Sequence, residues 1–130
     1  MSTERGIAGH WTHGDLARSV AQALEQAGLG PSDLTPADLA PLDHLHGRGL
    51  EATRELAALL GAAPGQHLLD IGCGIGGPSR LIATEHGCRV TGIDLTAEFC
   101  EVALMLNRVT GLDGQVSIRR ASALALPFAD

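Results

Sequence analysis

The chain has 130 residues, of which 45% are hydrophobic and 18% are charged. That composition predicts one soluble globular domain and excludes a disordered chain. The formal net charge is −6 and all nine cationic residues are arginines, which argues against a nucleic-acid surface and excludes a lysine-dependent phosphate loop.

Membrane insertion and secretion are not expected from the sequence. No apolar run approaches the ~20 residues of a membrane span, and the N-terminus lacks the apolar stretch of a secretory signal. The three cysteines, Cys73, Cys88 and Cys100, show no zinc-type spacing. We therefore expect a cytoplasmic protein with reduced, buried thiols and no metal site.

Residues 1–61 have the pattern of helices separated by proline-marked turns, and we expect them to form a helical cap or lid. Asp15 can cap a first helix that ends near Gly28. The apolar stripe of this helix consists of Leu16, Val20 and Leu24.

A second and a third helix follow in this segment. Thr35 and Pro36 read as a cap and a first helical residue, with Asp38 three positions after the cap. This helix is expected to stop before Pro41. The third helix is expected over residues 50–60. One of its faces should be lined by Leu50, Thr53, Leu56, Ala57, Leu59 and Leu60.

From Pro64 onward, strand-like and helical stretches alternate, so residues 62–130 are expected to form an α/β unit. Strands are predicted at residues 67–71, 88–93 and 116–120. Helices are predicted at residues 78–86 and 97–110, the second capped by Thr96. The order β-α-β-α-β predicts parallel strands with right-handed crossovers, as in a Rossmann-like sheet.

A glycine-rich loop, DIGCGIGG over residues 70–77, joins the first strand to its helix. Glycines let a ligand approach the backbone, and the following helix N-terminus offers free N–H groups. Asp94, at the tip of the second strand, can accept hydrogen bonds from both hydroxyls of a ribose. The sequence thus predicts a nucleoside-containing ligand. A tight strand–helix turn without a ligand is the alternative.

Glycine spacing does not identify the nucleoside. One reading, with Gly77 as the third glycine, gives the dinucleotide pattern G-x-G-x-x-G; another, with Gly76, gives G-x-G-x-G. The charge of Asp70, at the mouth of the loop, favours a cationic ligand. At about 4 Å a carboxylate repels a pyrophosphate by ~1–4 kcal/mol, whereas it attracts the ammonium and sulfonium of S-adenosylmethionine. A loop-ordering carboxylate is the alternative for Asp70.

Residues 68–77, LLDIGCGIGG, closely resemble the first motif of class I S-adenosylmethionine-dependent methyltransferases. Residues 90–96, VTGIDLT, resemble their second strand with its ribose-binding acid. Residues 123–128, ALALPF, resemble the segment after their third strand. Residues 39–47, LAPLDHLHG, are similar to small-molecule members, including sarcosine/dimethylglycine-type N-methyltransferases.

The resemblance implies roles for individual residues. The methionine end of the cofactor would be surrounded by Asp70, Gly72, Cys73 and Gly74. Asp94 would hold the ribose, Leu95 would pack on the adenine, and Ala123 would lie near the adenine edge. Ser122 stands where the family often has an aspartate facing the adenine amino group. Its hydroxyl can still accept a hydrogen bond, but without charge, so weaker cofactor binding is expected.

His44 and His46 are candidates for a lid that contacts the cofactor or the substrate. Ordinary loop histidines are the alternative, and an H-x-H pair alone supplies too few ligands for a metal. No catalytic residue is identified, because methyl transfer from a sulfonium depends mainly on positioning and on exclusion of water.

The resulting hypothesis is an S-adenosylmethionine-dependent methyltransferase that acts on a small molecule, with an amine as one candidate acceptor, and releases S-adenosylhomocysteine. A nicotinamide-dependent (NAD) oxidoreductase is the second hypothesis, although the charge of Asp70 argues against it. A non-catalytic nucleoside-binding or assembly module is the third hypothesis.

Members of the family continue with further strands after the segment that 123–128 resembles. The strands present here are expected in the order 3-2-1, which leaves the first strand with an open, apolar edge. Such edges recruit other chains. We therefore expect either a portion of a longer enzyme or a chain that completes its sheet by association, as a homo-oligomer, with little turnover by the 130 residues alone.

Overall fold

The computed structural model of the chain describes residues 16–30, 32–43 and 49–127. Its elements, in chain order, are α1 Leu16–Gln26, α2 Pro36–Asp43, α3 Gly49–Leu60, β1 His67–Ile71, α4 Gly77–His86, β2 Arg89–Asp94, α5 Ala97–Val109 and β3 Val116–Arg120. The predicted alternation of strands and helices after residue 62 is confirmed. Across the described ranges, no helix has both the length and the hydropathy required to cross a bilayer.

The three strands form one parallel sheet in the order β1-β2-β3, which is the predicted order 3-2-1 counted from the other edge. Asp70 is in register with Gly92, and Asp94 is in register with Arg120. Because the strands are parallel, their carboxyl ends lie together along one border of the sheet, which we call its carboxyl edge to distinguish it from the open side of β1. The glycine loop, Asp94 and the segment after β3 therefore meet at that edge.

Two buried clusters hold the helices against the sheet. The first joins α3 and α4 to the sheet through Ala57, Ile82, Ala83, Cys88, Val90 and Val116. The second joins the first two helices to α5 through Val20, Leu34, Leu39, Val102 and Leu106. The N-terminal helices thus share a core with a helix of the sheet unit, and the division at residues 61 and 62 stays a prediction.

Helix α2 extends past its predicted end. It runs to Asp43 with Pro41 inside it, although a proline removes a helical hydrogen bond. Tertiary contacts stabilise this last turn, because Leu39 is fully buried and Asp43 forms a buried ion pair with Arg80. The predicted start of the helix is confirmed. The Asp38 N–H donates to Thr35 Oγ1 over 3.3 Å, and the Thr35 N–H donates to Asp38 Oδ2 over 2.9 Å.

The predicted face of α3 is confirmed for Thr53 and Ala57 and is wrong for Leu56, Leu59 and Leu60. The helix buries Thr53 and Ala57, which lie one turn apart and face α4. Leucines 56, 59 and 60 are exposed, and Leu59 is 87% exposed. The side chain of Arg54 pairs with Glu85 of α4, which agrees with this orientation. Small side chains at the contact allow α3 to approach α4 closely, while Leu56, Leu59 and Leu60 stay exposed.

Strand β1 has the open edge that the sequence predicts. Among the described strands it pairs with β2 alone, and its apolar side chains Leu69 and Ile71 are exposed. Association of copies through this edge stays a prediction.

Candidate functional site

The glycine-rich loop between β1 and α4 is fastened to the end of β2. The N–H groups of Gly72 and Cys73 both donate to the Ile93 carbonyl, over 2.8 Å and 2.9 Å. The Gly74 N–H donates to Asp94 Oδ2 over 2.9 Å. Gly72 and Gly74 have φ angles of 74° and 57°, in the left-handed region that favours glycine. The backbone path of the loop therefore requires these residues.

Asp94 lies at the centre of this arrangement. Besides the Gly74 N–H, its carboxylate accepts the Thr96 N–H at Oδ1 over 2.9 Å. A carboxylate offers about four lone-pair sites, so each oxygen retains capacity for a ligand hydroxyl. Thr96 occupies the N-cap position of α5, but its hydroxyl makes no capping hydrogen bond. The predicted N-cap position is confirmed, but the Thr96 backbone is held by Asp94 rather than by a cap from the Thr96 hydroxyl.

A cavity of about 430 Å³, which we call the sheet-edge cavity, opens beside Asp94. Its lining includes five of the predicted site residues, namely Gly72, Asp94, Leu95, Ser122 and Ala123. The segment after β3 is held in place because the Ala121 N–H donates to the Asp94 carbonyl over 3.1 Å. The Ser122 hydroxyl oxygen accepts the Leu124 N–H over 3.0 Å.

A second cavity of about 400 Å³, the helix-side cavity, lies between the glycine loop and the first two helices. Its walls include Leu16 and Val20 of α1, Leu42 and Asp43 of α2, and loop residues Gly72, Cys73, Gly74 and Ile75. Gly72 and Phe99 line both cavities. The two cavities are therefore adjacent at the start of the loop.

Asp70 is not among the residues that line either cavity. Its Oδ2 accepts a hydrogen bond from the Ser79 hydroxyl of α4 over 2.7 Å, as a loop-ordering carboxylate does. Burial raises the pKa of Asp70; the bond from Ser79 opposes this, and the negative charge of Asp94 adds to it. Asp70 thus places a partly desolvated negative charge close to the loop.

The three cysteines are buried free thiols, as predicted. Burial raises the pKa of the Cys73 thiol well above its usual value, and the carboxylates of Asp70 and Asp94 raise it further. Both effects disfavour the thiolate, which is the reactive form of cysteine, and Cys73 lines the helix-side cavity.

A buried polar network that the sequence analysis missed lies behind the loop. Arg80 of α4 is fully buried. Its Nη2 pairs with Asp43 Oδ1 over 2.7 Å, and its Nη1 donates to Asn107 Oδ1 over 2.9 Å. Asn107 in turn donates to the Val116 carbonyl over 3.1 Å. Burial lowers the pKa of Arg80, and the charge of Asp43 opposes this effect. One sequence signal existed, because Arg80 precedes the core residue Ala83 by three positions and so shares its helix face.

Gly77, which the sequence analysis treated as a loop glycine, has a packing role. A Cβ at this position would lie 2.5 Å from the Asp43 carbonyl oxygen and 2.9 Å from the Asp43 Cα. The absence of a side chain at Gly77 therefore lets the end of α2 touch the start of α4. This close approach places Asp43 within reach of Arg80.

We expect Gly77→Ala to lower the free energy of unfolding by ~1–3 kcal/mol, because overpacking against backbone cannot be relieved by a side-chain rotation. Urea unfolding monitored by circular dichroism measures this. Gly114→Ala is the matched control, since a Cβ there meets no described atom within 4 Å. Equal stability of the two variants would contradict the packing role.

His44 and His46 fall in residues 44–48, outside the described residues. Their predicted contact with the cofactor or the substrate stays a prediction. Asp43, the described residue that precedes them, lines the helix-side cavity.

Comparisons with known proteins agree with this geometry. The family model described as "Methyltransferase domain" matches residues 68–130. The O-methyltransferase resE of Aspergillus sclerotiorum is 45% identical over 78 residues, covering 60% of this chain and 30% of that protein.

Two solved structures show the same fold. An S-adenosylmethionine-dependent methyltransferase from Thiobacillus denitrificans, in complex with S-adenosylhomocysteine, has 33% identity and a TM-score of 0.53. The match covers 60% of this chain and 32% of that one. A geranyl diphosphate methyltransferase in complex with S-adenosylmethionine has 33% identity and a TM-score of 0.60, covering 72% and 37%.

The chain spans 30% of the length of resE and 23% of the length of the 24-methylenesterol C-methyltransferase 2 of Oryza sativa subsp. japonica, to which it is 43% identical over 84 residues. The family match, residues 68–130, includes the glycine loop, Asp94 and the strands β2 and β3. Residues 68–130 therefore match a methyltransferase-domain family, and the parallel sheet has the fold of solved S-adenosylmethionine-dependent methyltransferases.

Proposed function

We propose that the chain forms the S-adenosylmethionine-binding part of an enzyme that methylates a small molecule and releases S-adenosylhomocysteine. The observation that carries this proposal is Asp94, whose carboxylate holds the glycine loop through Gly74 and also lines the sheet-edge cavity. A carboxylate so placed can hold a ribose at the carboxyl end of a parallel strand.

The sheet-edge cavity suits the adenosine half of the cofactor. In this proposal Asp94 accepts hydrogen bonds from the ribose hydroxyls, and Leu95 packs on the adenine. Ser122 and Ala123 border the same cavity and lie at the adenine edge. The Ser122 hydroxyl oxygen already accepts one backbone N–H, which supports the expectation of a weaker hold on the adenine.

The glycine loop suits the methionine half. Gly72 borders both cavities, while Cys73 and Gly74 border the helix-side cavity. Asp70 and Asp94 both contribute negative charge close to the loop. This charge favours an ammonium and a sulfonium over a pyrophosphate, which distinguishes S-adenosylmethionine from NAD.

The bound cofactor supplies an activated methyl group with a good leaving group. The residues of this chain position it: Asp94 orients the ribose, and the loop fixes the path of the methionine chain. The walls of the helix-side cavity exclude water from the methyl group. Positioning of this kind can supply much of the rate without a covalent role for the protein.

Binding of S-adenosylhomocysteine by the 130-residue chain tests the proposal against its alternatives. We expect this ligand to raise the melting temperature and NAD to leave it unchanged, because stabilisation follows ligand affinity. Stabilisation by NAD alone would favour the oxidoreductase. Binding of S-adenosylmethionine with no release of S-adenosylhomocysteine in the presence of acceptors would favour the non-catalytic module.

We expect Asp70→Asn to stabilise the protein at neutral pH. Burial raises the folded-state pKa of Asp70 above 3.8, the ordinary value. The folded state then binds this proton more tightly than the unfolded state, so stability falls as the pH rises from about 4 through the raised pKa. Asparagine removes the charge but keeps an acceptor for the Ser79 hydroxyl. Urea unfolding at several pH values should show an advantage that is absent below about pH 4 and grows as the pH rises above it.

The same variant should bind S-adenosylmethionine more weakly and bind adenosine, a neutral ligand, as the wild type does. Isothermal titration calorimetry with both ligands measures this. An equal loss for both ligands would show that Asp70 orders the loop rather than attracting the cation.

A further inference from the structure

We propose that the methyl acceptor is an uncharged, apolar small molecule that binds in the helix-side cavity. The proposal rests on the function proposed above and names the substrate class for the same site. It also disfavours the amine acceptor, in its charged form, that the sequence resemblance suggested.

The first argument for this proposal is the position of the helix-side cavity relative to the bound cofactor. This cavity adjoins the sheet-edge cavity at Gly72 and Phe99. With adenosine held at Asp94, the methionine end lies along the loop. The space beyond the loop, between α1 and α2, is therefore where an acceptor can reach the methyl group.

The second argument is the apolar lining of the helix-side cavity. Apolar side chains from both N-terminal helices, the loop and α5 surround it, namely Leu16, Val20, Leu42, Ile75 and Phe99. Val20 belongs to the buried core, and Leu16, Leu42 and Ile75 pack against that core. Burial of apolar surface contributes about 25 cal/mol per Å², so this lining favours a hydrocarbon skeleton.

The third argument is that the lining of the helix-side cavity has no uncompensated charge among the described residues. Asp43 is the one charged side chain among the described lining residues, and Arg80 neutralises it through a buried ion pair of 2.7 Å. Asp70 and Asp94, whose charges act at the loop, do not line this cavity. An ammonium that bound beyond the loop, among the apolar side chains, would therefore lose its hydration without gaining an uncompensated carboxylate. Desolvation of an ion without such a partner is strongly unfavourable, so an alkylammonium is disfavoured.

The reaction balances for such an acceptor. Transfer breaks the methyl–sulfur bond with its electron pair going to sulfur, and an electron pair of the acceptor forms the new bond to the methyl carbon. The positive charge that passes to the acceptor leaves as a proton to water.

Three probes with the same eight-carbon chain test the substrate class. 1-Octanol, octylammonium and octanoate are titrated by calorimetry at pH 7 into the 130-residue chain saturated with S-adenosylhomocysteine. We expect 1-octanol to bind at least about tenfold more tightly than either ion. A tenfold difference in Kd corresponds to only ~1.4 kcal/mol, which the desolvation of an ion readily exceeds. Equal or tighter binding of octylammonium would overturn the proposal.

Matched substitutions locate the probe. Leu16→Ser and Leu42→Ser, on two different helices of the helix-side cavity, should each weaken 1-octanol binding by a larger factor than they weaken S-adenosylhomocysteine binding. The control is Leu24→Ser. This residue lies on the same helix as Leu16 but lines a separate apolar cavity between α1 and α5. Loss of 1-octanol binding in the control alone would place the probe in that other cavity and overturn the proposal.

The two proposals fail in distinguishable ways. If S-adenosylhomocysteine does not bind the wild-type chain, the proposed function is wrong. If it binds and 1-octanol does not, the function stands and the apolar acceptor is wrong.

Discussion

Replacement of Asp94 by asparagine is expected to lower the affinity for S-adenosylhomocysteine by about 100-fold. Hydrogen bonds to a charged group contribute ~1.5–3 kcal/mol each, and about 1.4 kcal/mol corresponds to a factor of ten. The amide also replaces one acceptor oxygen by a donor, so the N–H of Gly74 or of Thr96 loses its partner. The substitution therefore weakens both the ribose contact and the anchor of the loop. Isothermal titration calorimetry measures the loss.

A ligand series separates these two effects. In the wild type, the 2′-deoxy analogue of S-adenosylhomocysteine should bind more weakly than the parent, because one ribose hydroxyl is missing. In Asp94→Asn the two ligands should bind alike. The matched control is Asp113→Asn, at an exposed aspartate outside both cavities, which should leave both affinities unchanged. The same discrimination by wild type and Asp94→Asn would show that Asp94 does not contact the ribose.

Much of this site could be predicted from sequence because its determinants are local. The strands at residues 67–71 and 116–120 are predicted, and the structure confirms the bounds of both. Parallel pairing then brings the ends of β1, β2 and β3 together without further information. The glycine loop and Asp94 lie near each other for this reason, although they are 20 residues apart where Gly74 meets Asp94.

The errors arise where contacts between distant segments decide the outcome. Hydrophobic spacing shows that α3 has an apolar face, but the partner selects which residues are buried, and α4 selects Thr53 and Ala57 over the leucines. Pro41 lies inside α2 because its neighbours Leu39 and Asp43 are held by contacts with other helices. No local pattern contains this information.

The Arg80–Asp43 pair is the strongest of these distant contacts, and its loss is expected to have the largest effect on stability. Arg80→Leu should lower the free energy of unfolding by about 3–5 kcal/mol, because it leaves the buried Asp43 carboxylate without its counter-charge. The side chains of the pair are 0% and 1% exposed. Urea unfolding measures the change.

A second ion pair of the same length provides the control. Arg54 and Glu85 also lie 2.7 Å apart, but their side chains are 52% and 32% exposed, so solvent screens their attraction and Arg54→Leu should change stability little. The double variant Arg80→Leu/Asp43→Asn should recover part of the loss, since it removes the buried charge as well. Because Asp43 lines the helix-side cavity, Arg80→Leu should also admit octylammonium there. Equal destabilisation by Arg80→Leu and Arg54→Leu would show that burial does not set the strength of this pair.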